Sequence, residues 1–312
     1  MRVLFLCDAK HCKTKMSRGR FLYVEAIGVL VPTHTWGNGH VGYRPELSVT
    51  ANLKRRKLKY DAVFAYMPED HIGFADVDAV RVIDINEMYN EAQMKPVFEV
   101  HKPHLALCHH ANEMARFVDR YPATKFVHIP HCSDPRIFKP YGKKKIDALL
   151  IGQTCMEFYP LRTRMMAQVI PKLQELGFKA EVWKHPGYVV ADADSNATAI
   201  AYAKRISEAR IALFCSGTAK TRYAKYNETA FCGTAIGADI PDEDQDFFRE
   251  FVLELTDDMS TDEIVAKIAD ALRDPEALQA RADLGRERNK HLTTSYYAKR
   301  AVAEIENIMR EQ

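Results

Sequence analysis

Residues 211–239 read IALFCSGTAKTRYAKYNETAFCGTAIGAD and decide the fold. An apolar strand, Ile211–Cys215, ends in a small turn at residues 216–218. A basic segment and a short helix at Tyr226–Cys232 follow, and a second strand covers Thr234–Ala238. A strand, a helix and another strand in succession are typical of an open α/β sheet with parallel strands.

The same alternation extends in both directions from this stretch. Upstream, the pattern predicts helices from about Ser17 to Ile27 and over Ala111–Asp119. Each predicted strand is a short apolar run, as expected for strands buried on both faces of a sheet. The predicted strands of the first half are Arg2–Cys7, Ala62–Tyr66, Ala79–Ile85, Leu105–Cys108 and Phe126–Ile129; those that open the second half are Ile146–Ile151 and Lys179–Trp183.

The helices of the second half carry clear end signals. An amphipathic helix over Leu161–Leu176 closes at Gly177, the residue type favoured just past a helix C-terminus. Ser260 and Glu263 form a capping box ahead of another helix. The chain ends in an amphipathic helix from Thr294 to about Arg310.

These elements predict an α/β fold of two Rossmann-like domains facing each other across a cleft, with C-terminal helices. The expected bounds are residues 1–138 for the N-terminal domain, 139–145 for a linker rich in lysine, and 146–292 for the C-terminal domain. Residues 293–312 are expected to form a terminal helix that packs back on the N-terminal domain.

Composition excludes several classes of protein. The 312 residues are 47% hydrophobic and 28% charged, as in ordinary globular domains and unlike disordered or fibrous chains. No apolar run approaches the roughly 18 residues of a membrane span, and no signal peptide is expected. Seven scattered cysteines favour a reducing cytoplasm, without a metal site or disulfides.

Charge is concentrated at the start of the chain. Residues 1–60 hold 12 Lys and Arg against 3 Asp and Glu, a net charge of +9, although the whole chain carries only +2. Such a local positive field raises the concentration of anionic partners.

Residues at the carboxyl edge of the second sheet suit a nucleoside diphosphate. In an open α/β sheet, ligands bind beyond the carboxyl ends of the strands. Backbone amides at Ser216 and Gly217, together with cations such as Lys225, can hold phosphates, and the Glu228 carboxylate can accept hydrogen bonds from ribose hydroxyls. The alternatives are that Glu228 is a plain helix-start carboxylate and that Lys225 and Arg162 lie on a solvated face.

Three segments resemble the nucleotide-sugar glycosyltransferases of the GT-B architecture, glycosyl transferases group 1, and are most similar to their spore-maturation-type branch. The segments are YNETAFCGT at residues 226–234, HCSDPRIFKP at 131–140, and the pair Ile151–Gly152 and Tyr159–Arg162. The end of the chain, residues 263–295, is also similar. The resemblance covers about residues 125–300.

This resemblance implies a role for each matching residue. Glu228 would bind the donor ribose, and Lys225 would lie near the donor phosphates. Gly152 would open the loop that faces the diphosphate, and Arg162 would reach the same phosphates. It also implies transfer of a hexosyl group from a nucleoside diphosphate sugar, such as a UDP-sugar, to a hydroxyl, without a required metal or other cofactor.

The chain departs from the family where many relatives have an acidic residue that touches the sugar. The corresponding positions hold Lys220 and Thr221. The resemblance therefore implies no sugar identity.

The N-terminal half supplies the candidate acceptor residues. Lys10 and Lys13 follow the first strand, and Lys54, Arg55 and Arg56 form a second basic cluster. These residues predict an anionic acceptor, of which DNA with a hydroxymethylated base is one example. Anionic polysaccharides and lipid-linked phosphates fit the charge equally well, and a solvated helix face is the alternative.

Candidate catalytic residues lie where strands of the first half end. Asp8 follows the first strand, and His109 and His110 follow the strand at Leu105–Cys108. An enzyme that inverts the anomeric centre would need one of them as a general base, whereas a retaining enzyme would not.

Gly37, Gly39 and Gly42 match the dinucleotide motif G-x-G-x-x-G, but they do not follow the first strand and no helical pattern begins after them. We expect a loop there. The remaining alternatives for the whole chain are a transferase acting on a polysaccharide, protein or small molecule, and a non-catalytic module that binds nucleotides or nucleic acid.

Overall fold

The computed structural model describes residues 1–14, 18–86, 88–183 and 195–311, without the side chains of 12–14, 18–20 and 195–197. The described chain divides into two compact units. The first contains residues 1–130 and 294–311, and the second contains 131–183 and 196–293. The α/β class predicted from the alternation of strands and helices is confirmed.

The first unit is built on a parallel sheet in the order β2-β1-β3-β4-β5-β6. Residues 3–6, 62–65 and 105–108 are buried throughout, because helices cover both faces of the sheet. The strands are β1 Val3–Leu6, β2 Thr33–Trp36, β3 Ala62–Ala65, β4 Val80–Ile85, β5 Leu105–Cys108 and β6 Lys125–His128. The helices among them are α1 Ala9–Thr14, α2 Arg18–Leu30, α3 Val49–Arg55, α4 Glu91–Glu99 and α5 Ala111–Val118.

The sequence prediction of this unit differs from the structure at β2 and α1, and it includes no helix at α3 or α4. The sequence predicts no strand at β2, because this edge strand is only partly buried and lacks a continuous apolar run. A polar loop is expected after the first strand, but α1 begins there. The Asp8 side chain accepts a hydrogen bond from the Lys10 backbone N–H at 3.0 Å and so caps this helix.

The second unit is built on a parallel sheet in the order β11-β10-β9-β7-β8. Its core lies between this sheet and the helices that cover it. The strands are β7 Ile146–Ile151, β8 Ala180–Trp183, β9 Ala209–Leu213, β10 Ala235–Ala238 and β11 Val252–Glu254. The helices are α6 Pro160–Arg164, α7 Ile170–Glu175, α8 Ser195–Ser207, α9 Ala224–Phe231, α10 Gln245–Arg249, α11 Thr261–Arg273 and α12 Pro275–Asn289.

The helix predicted over Leu161–Leu176 contains a wider π turn between α6 and α7, at Met165–Val169. Within this turn the Ile170 N–H donates to the Met165 carbonyl, five residues back. The next residue, Pro171, has no N–H and its ring would crowd the carbonyl four residues earlier. The π turn relieves this conflict inside a continuous helix.

The last helix, α13 Thr294–Glu311, belongs to the first unit. It packs against α2, where the Tyr23 hydroxyl donates to the Tyr297 carbonyl at 3.5 Å. Lys125 in β6 forms an ion pair with Glu304 at 2.8 Å. Within the described chain, no helix is long and apolar enough to cross a membrane.

The boundary between the units falls after Pro130, whereas the sequence analysis ends the N-terminal domain at residue 138. Ser133 forms an isolated parallel bridge with Thr293, and its N–H donates to the Leu292 carbonyl at 3.2 Å. These contacts attach the segment after Pro130 to the second unit. The segment 131–138 therefore forms part of that unit's structure.

Gly37 is required where the loop after β2 passes over the end of β1. Its φ is +154°, and a Cβ at this position would lie 2.5 Å from the Cys7 carbonyl oxygen. We expect Gly37→Ala to reduce the free energy of unfolding by about 1–3 kcal/mol, measured by urea denaturation.

Gly28→Ala is the matched control. Gly28 lies inside α2, and a Cβ there makes only an ordinary contact of 3.6 Å with the Thr33 side chain. Its stability should be unchanged or slightly higher, since alanine favours helix. Equal stability of both variants would contradict this account of the loop.

Candidate functional site

The strand order of the second unit creates a crevice at the carboxyl ends of β7 and β9. The chain runs from β7 to the edge strand β8 on one side of it and then crosses to β9 on the other side. Ligands of open α/β sheets bind at such a switch point. Gly152 follows β7 directly, and Ser216 lies just beyond β9.

Arg162, in the first turn of α6, bridges the two sides of the crevice. Its side chain is buried, with Nη1 donating to the Gln153 carbonyl at 2.8 Å and Nη2 donating to the Cys215 carbonyl at 2.6 Å. The guanidinium also lies 4.2 Å from the ring centre of Tyr159. Both hydrogen-bond acceptors are uncharged, so the positive charge of Arg162 is left to act on an anion in the crevice.

Gly152 allows the chain to pass close to two cations. Its φ is +98°, in the left-handed region that favours glycine. A Cβ would lie 2.7 Å from Lys225 Cε and 2.8 Å from Arg162 Nη1. Gly152, Arg162 and Lys225, which the sequence analysis assigns to the donor site, therefore lie close together, and their donor-binding roles stay predictions.

Lys225 and Glu228 lie one turn apart on α9 and are both partly buried. Burial raises the pKa of the Glu228 carboxyl, and the attraction of Lys225 opposes this rise. Burial lowers the pKa of the Lys225 ammonium, repulsion by Arg162 lowers it further, and Glu228 opposes both effects. A poorly hydrated carboxyl one turn from Lys225, which itself lies near Arg162, is suited to a ligand that carries both phosphate and hydroxyl groups.

Asp239, the residue after β10, fixes the turn at Ser216 and Gly217. Asp239 is buried and accepts hydrogen bonds from Ser216 N–H at 2.7 Å and from Ser216 Oγ at 2.5 Å. It also forms an ion pair with Lys220 at 2.9 Å. Gly217 has a φ of +75°, and a Cβ would lie 2.8 Å from the Phe158 carbonyl oxygen. This turn is therefore fixed against both the sheet and the loop before α6.

Helix α9 is anchored so that Lys225 and Glu228 keep their places. The Tyr226 hydroxyl donates to the Asp239 carbonyl at 2.7 Å, and the Asn227 side-chain amide donates to the His131 carbonyl. Tyr226 and Asn227 are both fully buried. The two residues between the charged pair thus connect α9 to β10 and to the first residue of the unit.

Sequence reasoning did not identify Asp239 and Tyr159 as members of the site. The signal for Asp239 is present, since a carboxylate directly follows the apolar strand Ala235–Ala238. Tyr159 belongs to a segment that resembles the family, but nothing in the local sequence pattern shows that its ring will support Arg162.

Asp8, a predicted catalytic residue, is buried at the carboxyl end of β1. Burial alone would raise the pKa of its carboxyl, but hydrogen bonds from the backbone and the side chain of Lys10 hold the pKa below its usual value. Lys10 Nζ lies 3.4 Å from Asp8 Oδ2. The Lys13 side chain lies outside the described residues. The roles of Asp8, Lys10 and Lys13 stay predictions.

His109, a second predicted catalytic residue, is buried between strands. Its Nδ1 lies 2.7 Å from the Ile129 carbonyl oxygen, and its Nε2 lies 3.1 Å from Asp84 Oδ1. His110 is buried as well and precedes α5. His109 Nδ1 therefore lies within hydrogen-bond distance of a backbone carbonyl, and the catalytic roles of His109 and His110 stay predictions.

The basic cluster of the first unit lies on the end of α3. Lys54, Arg55 and Arg56 are exposed, and within the described chain none of them forms an ion pair. The Arg55 guanidinium donates to the Gly42 carbonyl. The loop of Gly37–Gly42 packs on the end of β1 through a 2.8 Å bond from Ala9 N–H to the Asn38 carbonyl, and no helix opens after it. This geometry differs from that of a dinucleotide motif.

Among the residues that the structure describes, no group of three or more His, Cys, Asp or Glu side chains could hold a metal ion. Arg162 and Lys225 lie together beside Gly152, and Glu228 lies one turn from Lys225 on α9.

Comparison with known proteins shows the fold. No family model matches the chain, and no curated protein matches it in sequence. Sucrose-phosphate synthase from Thermosynechococcus elongatus aligns with a TM-score of 0.65 at 12% identity, covering 100% of both chains. A glycosyltransferase from Rickettsia africae aligns at 0.64 and 10% identity, covering 100% of this chain and 99% of that one. HepE from Anabaena, in complex with UDP and glucose, aligns at 0.62 and 11% identity, covering 98% and 100%. The chain therefore has the fold of GT-B glycosyltransferases.

Proposed function

We propose that the protein is a glycosyltransferase that moves a hexosyl group from a UDP-sugar to a hydroxyl acceptor. The observation that carries this proposal is the close approach of Arg162 and Lys225 to Gly152 at the switch point of the second sheet, with Glu228 one turn from Lys225 on α9. The shared fold with HepE, whose structure contains UDP and glucose, supports it. The segment Tyr159–Arg162 also supports the similarity to the spore-maturation-type branch.

The three charged residues bind different parts of the donor. Arg162 and Lys225 bind the diphosphate, and Glu228 accepts hydrogen bonds from the ribose hydroxyls. As the bond between the sugar and the diphosphate breaks, negative charge grows on the leaving UDP. The two cations stabilise this charge, because they are held in place before the reaction and are only partly hydrated. They supply the neutralisation that a metal ion would otherwise contribute.

Substitutions at the two ends of this site should distinguish binding of the ribose from binding of the phosphates. Glu228→Gln removes a charged acceptor, so it should weaken uridine and UDP by a similar factor, about tenfold or more. Lys225→Met should weaken UDP strongly and uridine little, because only UDP has phosphates. Calorimetric titration of both ligands into both variants measures the two effects.

Glu276→Gln, at an exposed position at the start of α12, is the control and should leave both affinities unchanged. Unaltered UDP affinity in Glu228→Gln would contradict the proposed site. Release of UDP from UDP-glucose in the absence of an acceptor, abolished by Lys225→Met, separates an enzyme from a non-catalytic nucleotide-binding module.

The uridine affinity should depend on pH through Glu228. Burial raises the pKa of this carboxyl to about 7. The ionised carboxylate is the better acceptor for ribose hydroxyls, so affinity should be highest above that pH and fall as the pH drops through it. In Glu228→Gln the dependence should disappear. Uridine avoids the phosphate titration of UDP, and a pH-independent wild-type affinity would show that Glu228 does not contact the ribose.

A second candidate function concerns the acceptor. The basic cluster favours an anionic acceptor, such as hydroxymethylated DNA. Lys54, Arg55 and Arg56 are exposed on one helix end without ion-pair partners among the described residues. DNA binding by this cluster should weaken with salt, and replacing all three residues by glutamine should reduce the slope of log K against log salt by about 2–3. The double variant Lys299→Gln, Arg300→Gln on α13 is the control, and an unchanged slope in the triple variant would remove this candidate.

A further inference from the structure

A cavity of about 340 Å³ opens at the amino edge of the second sheet. Residues of the segment 140–144, just before β7, line one side, and three side chains of α12 line another. Ser207 and the pair Cys232 and Gly233, which precede β9 and β10, also line it. The strands of this sheet are parallel, so the cavity lies at the opposite ends of the strands from the crevice at Gly152. All of these residues belong to the second unit.

Lys144 brings a partly buried ammonium group to this cavity. Its Nζ donates to the carbonyl of Gly233, another lining residue, at 2.7 Å and to Thr234 Oγ1 at 2.9 Å. Both acceptors are uncharged and an ammonium group has three hydrogens, so one donor and the full positive charge remain for a ligand. Burial lowers the pKa of Lys144 to about 8, and Cys232 and Asp283 oppose this fall. An anion in the cavity would offset the cost of burying this charge.

Two exposed cations, Lys143 and Arg286, line the same cavity. Within the part of the chain that the structure describes, neither of them forms an ion pair. With Lys144 they make three cations against one carboxylate, Asp283, among the described lining residues, a net charge of +2. A concave surface of this charge concentrates small anions.

The α12 side of the cavity offers hydrogen-bond acceptors as well as charge. Gln279, Asp283 and Arg286 follow one another at intervals of four and three residues, so they lie along one face of the helix. Gln279 Nε2 donates to Asp283 Oδ1 at 2.9 Å, which orients both side chains. Asp283 Oδ2 and Gln279 Oε1 can then accept hydrogen bonds from a ligand. Acceptors next to cations favour a ligand that combines a phosphate with hydroxyl groups.

We propose that this cavity binds a small phosphate monoester that also carries hydroxyl groups, such as a polyol phosphate or a sugar phosphate. Lys143, Lys144 and Arg286 bind the phosphate, and Asp283 accepts hydrogen bonds from the hydroxyls. Sites for drug-sized ligands occupy about 300–1,000 Å³, and a cavity near the lower bound admits such a ligand but not a nucleic-acid duplex. The site goes beyond the proposed function and does not depend on it, because it lies outside the crevice at Gly152.

The test uses the full chain and two probes that differ in one group, glycerol 3-phosphate and glycerol. Both are titrated against ¹⁵N-labelled protein by NMR. Glycerol 3-phosphate should give saturable shifts at residues 140–144, 232–233 and 279–286, and glycerol should give none there. The double variant Lys143→Gln, Arg286→Gln should weaken glycerol 3-phosphate at least about tenfold, since it removes two of the three cations.

Both substituted positions are exposed, so this variant should keep the fold, and the unshifted amide signals of the remaining residues check that it does. The control is the double variant Lys299→Gln, Arg300→Gln, which removes the same charge from exposed positions of α13. It should bind glycerol 3-phosphate as the wild type does.

The Asp283 carboxylate is tested with inorganic phosphate as a third probe. The wild type should bind glycerol 3-phosphate more tightly than inorganic phosphate, because only the former has hydroxyls for Asp283 to bind. Asp283→Ala should remove this preference and still bind inorganic phosphate, since it loses an acceptor and a repelling charge together. An undiminished preference in Asp283→Ala would overturn the assignment of this residue.

Four other outcomes would overturn the proposal as a whole. They are the absence of saturable shifts with glycerol 3-phosphate, equal losses of affinity in the two double variants, shifts confined to residues 152–162 and 216–228 at the crevice, and a duplex DNA that shifts residues 140–144 and 279–286 in preference to glycerol 3-phosphate. Titration of UDP into the same samples tests the proposed function separately, and its result leaves the assignment of this cavity unchanged.

Discussion

The bridge that Arg162 makes between the Gln153 and Cys215 carbonyls is the interaction on which the second unit's site depends. It joins the loops that leave β7 and β9, the two strands between which the chain changes direction across the sheet. A buried guanidinium with only neutral acceptors is costly unless its hydrogen bonds are made. The same geometry that gives each terminal nitrogen a hydrogen bond leaves the charge of Arg162 directed at the crevice, so one side chain contributes to both stability and binding.

The sequence predicts the strands of both sheets well wherever they are buried on both faces. Val3–Leu6 and Ala148–Ile151 are continuous apolar runs and leave little choice of structure. Edge strands such as β2 escape because half of their side chains contact solvent, and the pattern is then too short and too polar to stand out. The π turn before Pro171 escapes for another reason, since it preserves the spacing of apolar residues on the core side.

The site shows the same division between local and long-range information. Glu228 and Lys225 could be found because both lie on one short helix after a recognisable turn. Which strands are neighbours decides that Gly152 approaches them and that Asp239 supports Ser216. Strand order cannot be predicted from a short stretch of sequence. His109 illustrates the reverse: its place after a strand suggested chemistry, but the partner that orients it, Asp84, comes from a different strand 25 residues earlier.

The position of α13 has a consequence for the order of synthesis. This helix is synthesised after the whole second unit, yet it packs on α2 in the first unit. The α2 surface therefore waits uncovered while the entire second unit is made, and that unit has all of its strands before α13 appears. A nascent chain of this protein should complete its second unit first and close its first unit only once α13 has emerged, and until then the exposed α2 face is open to chaperones.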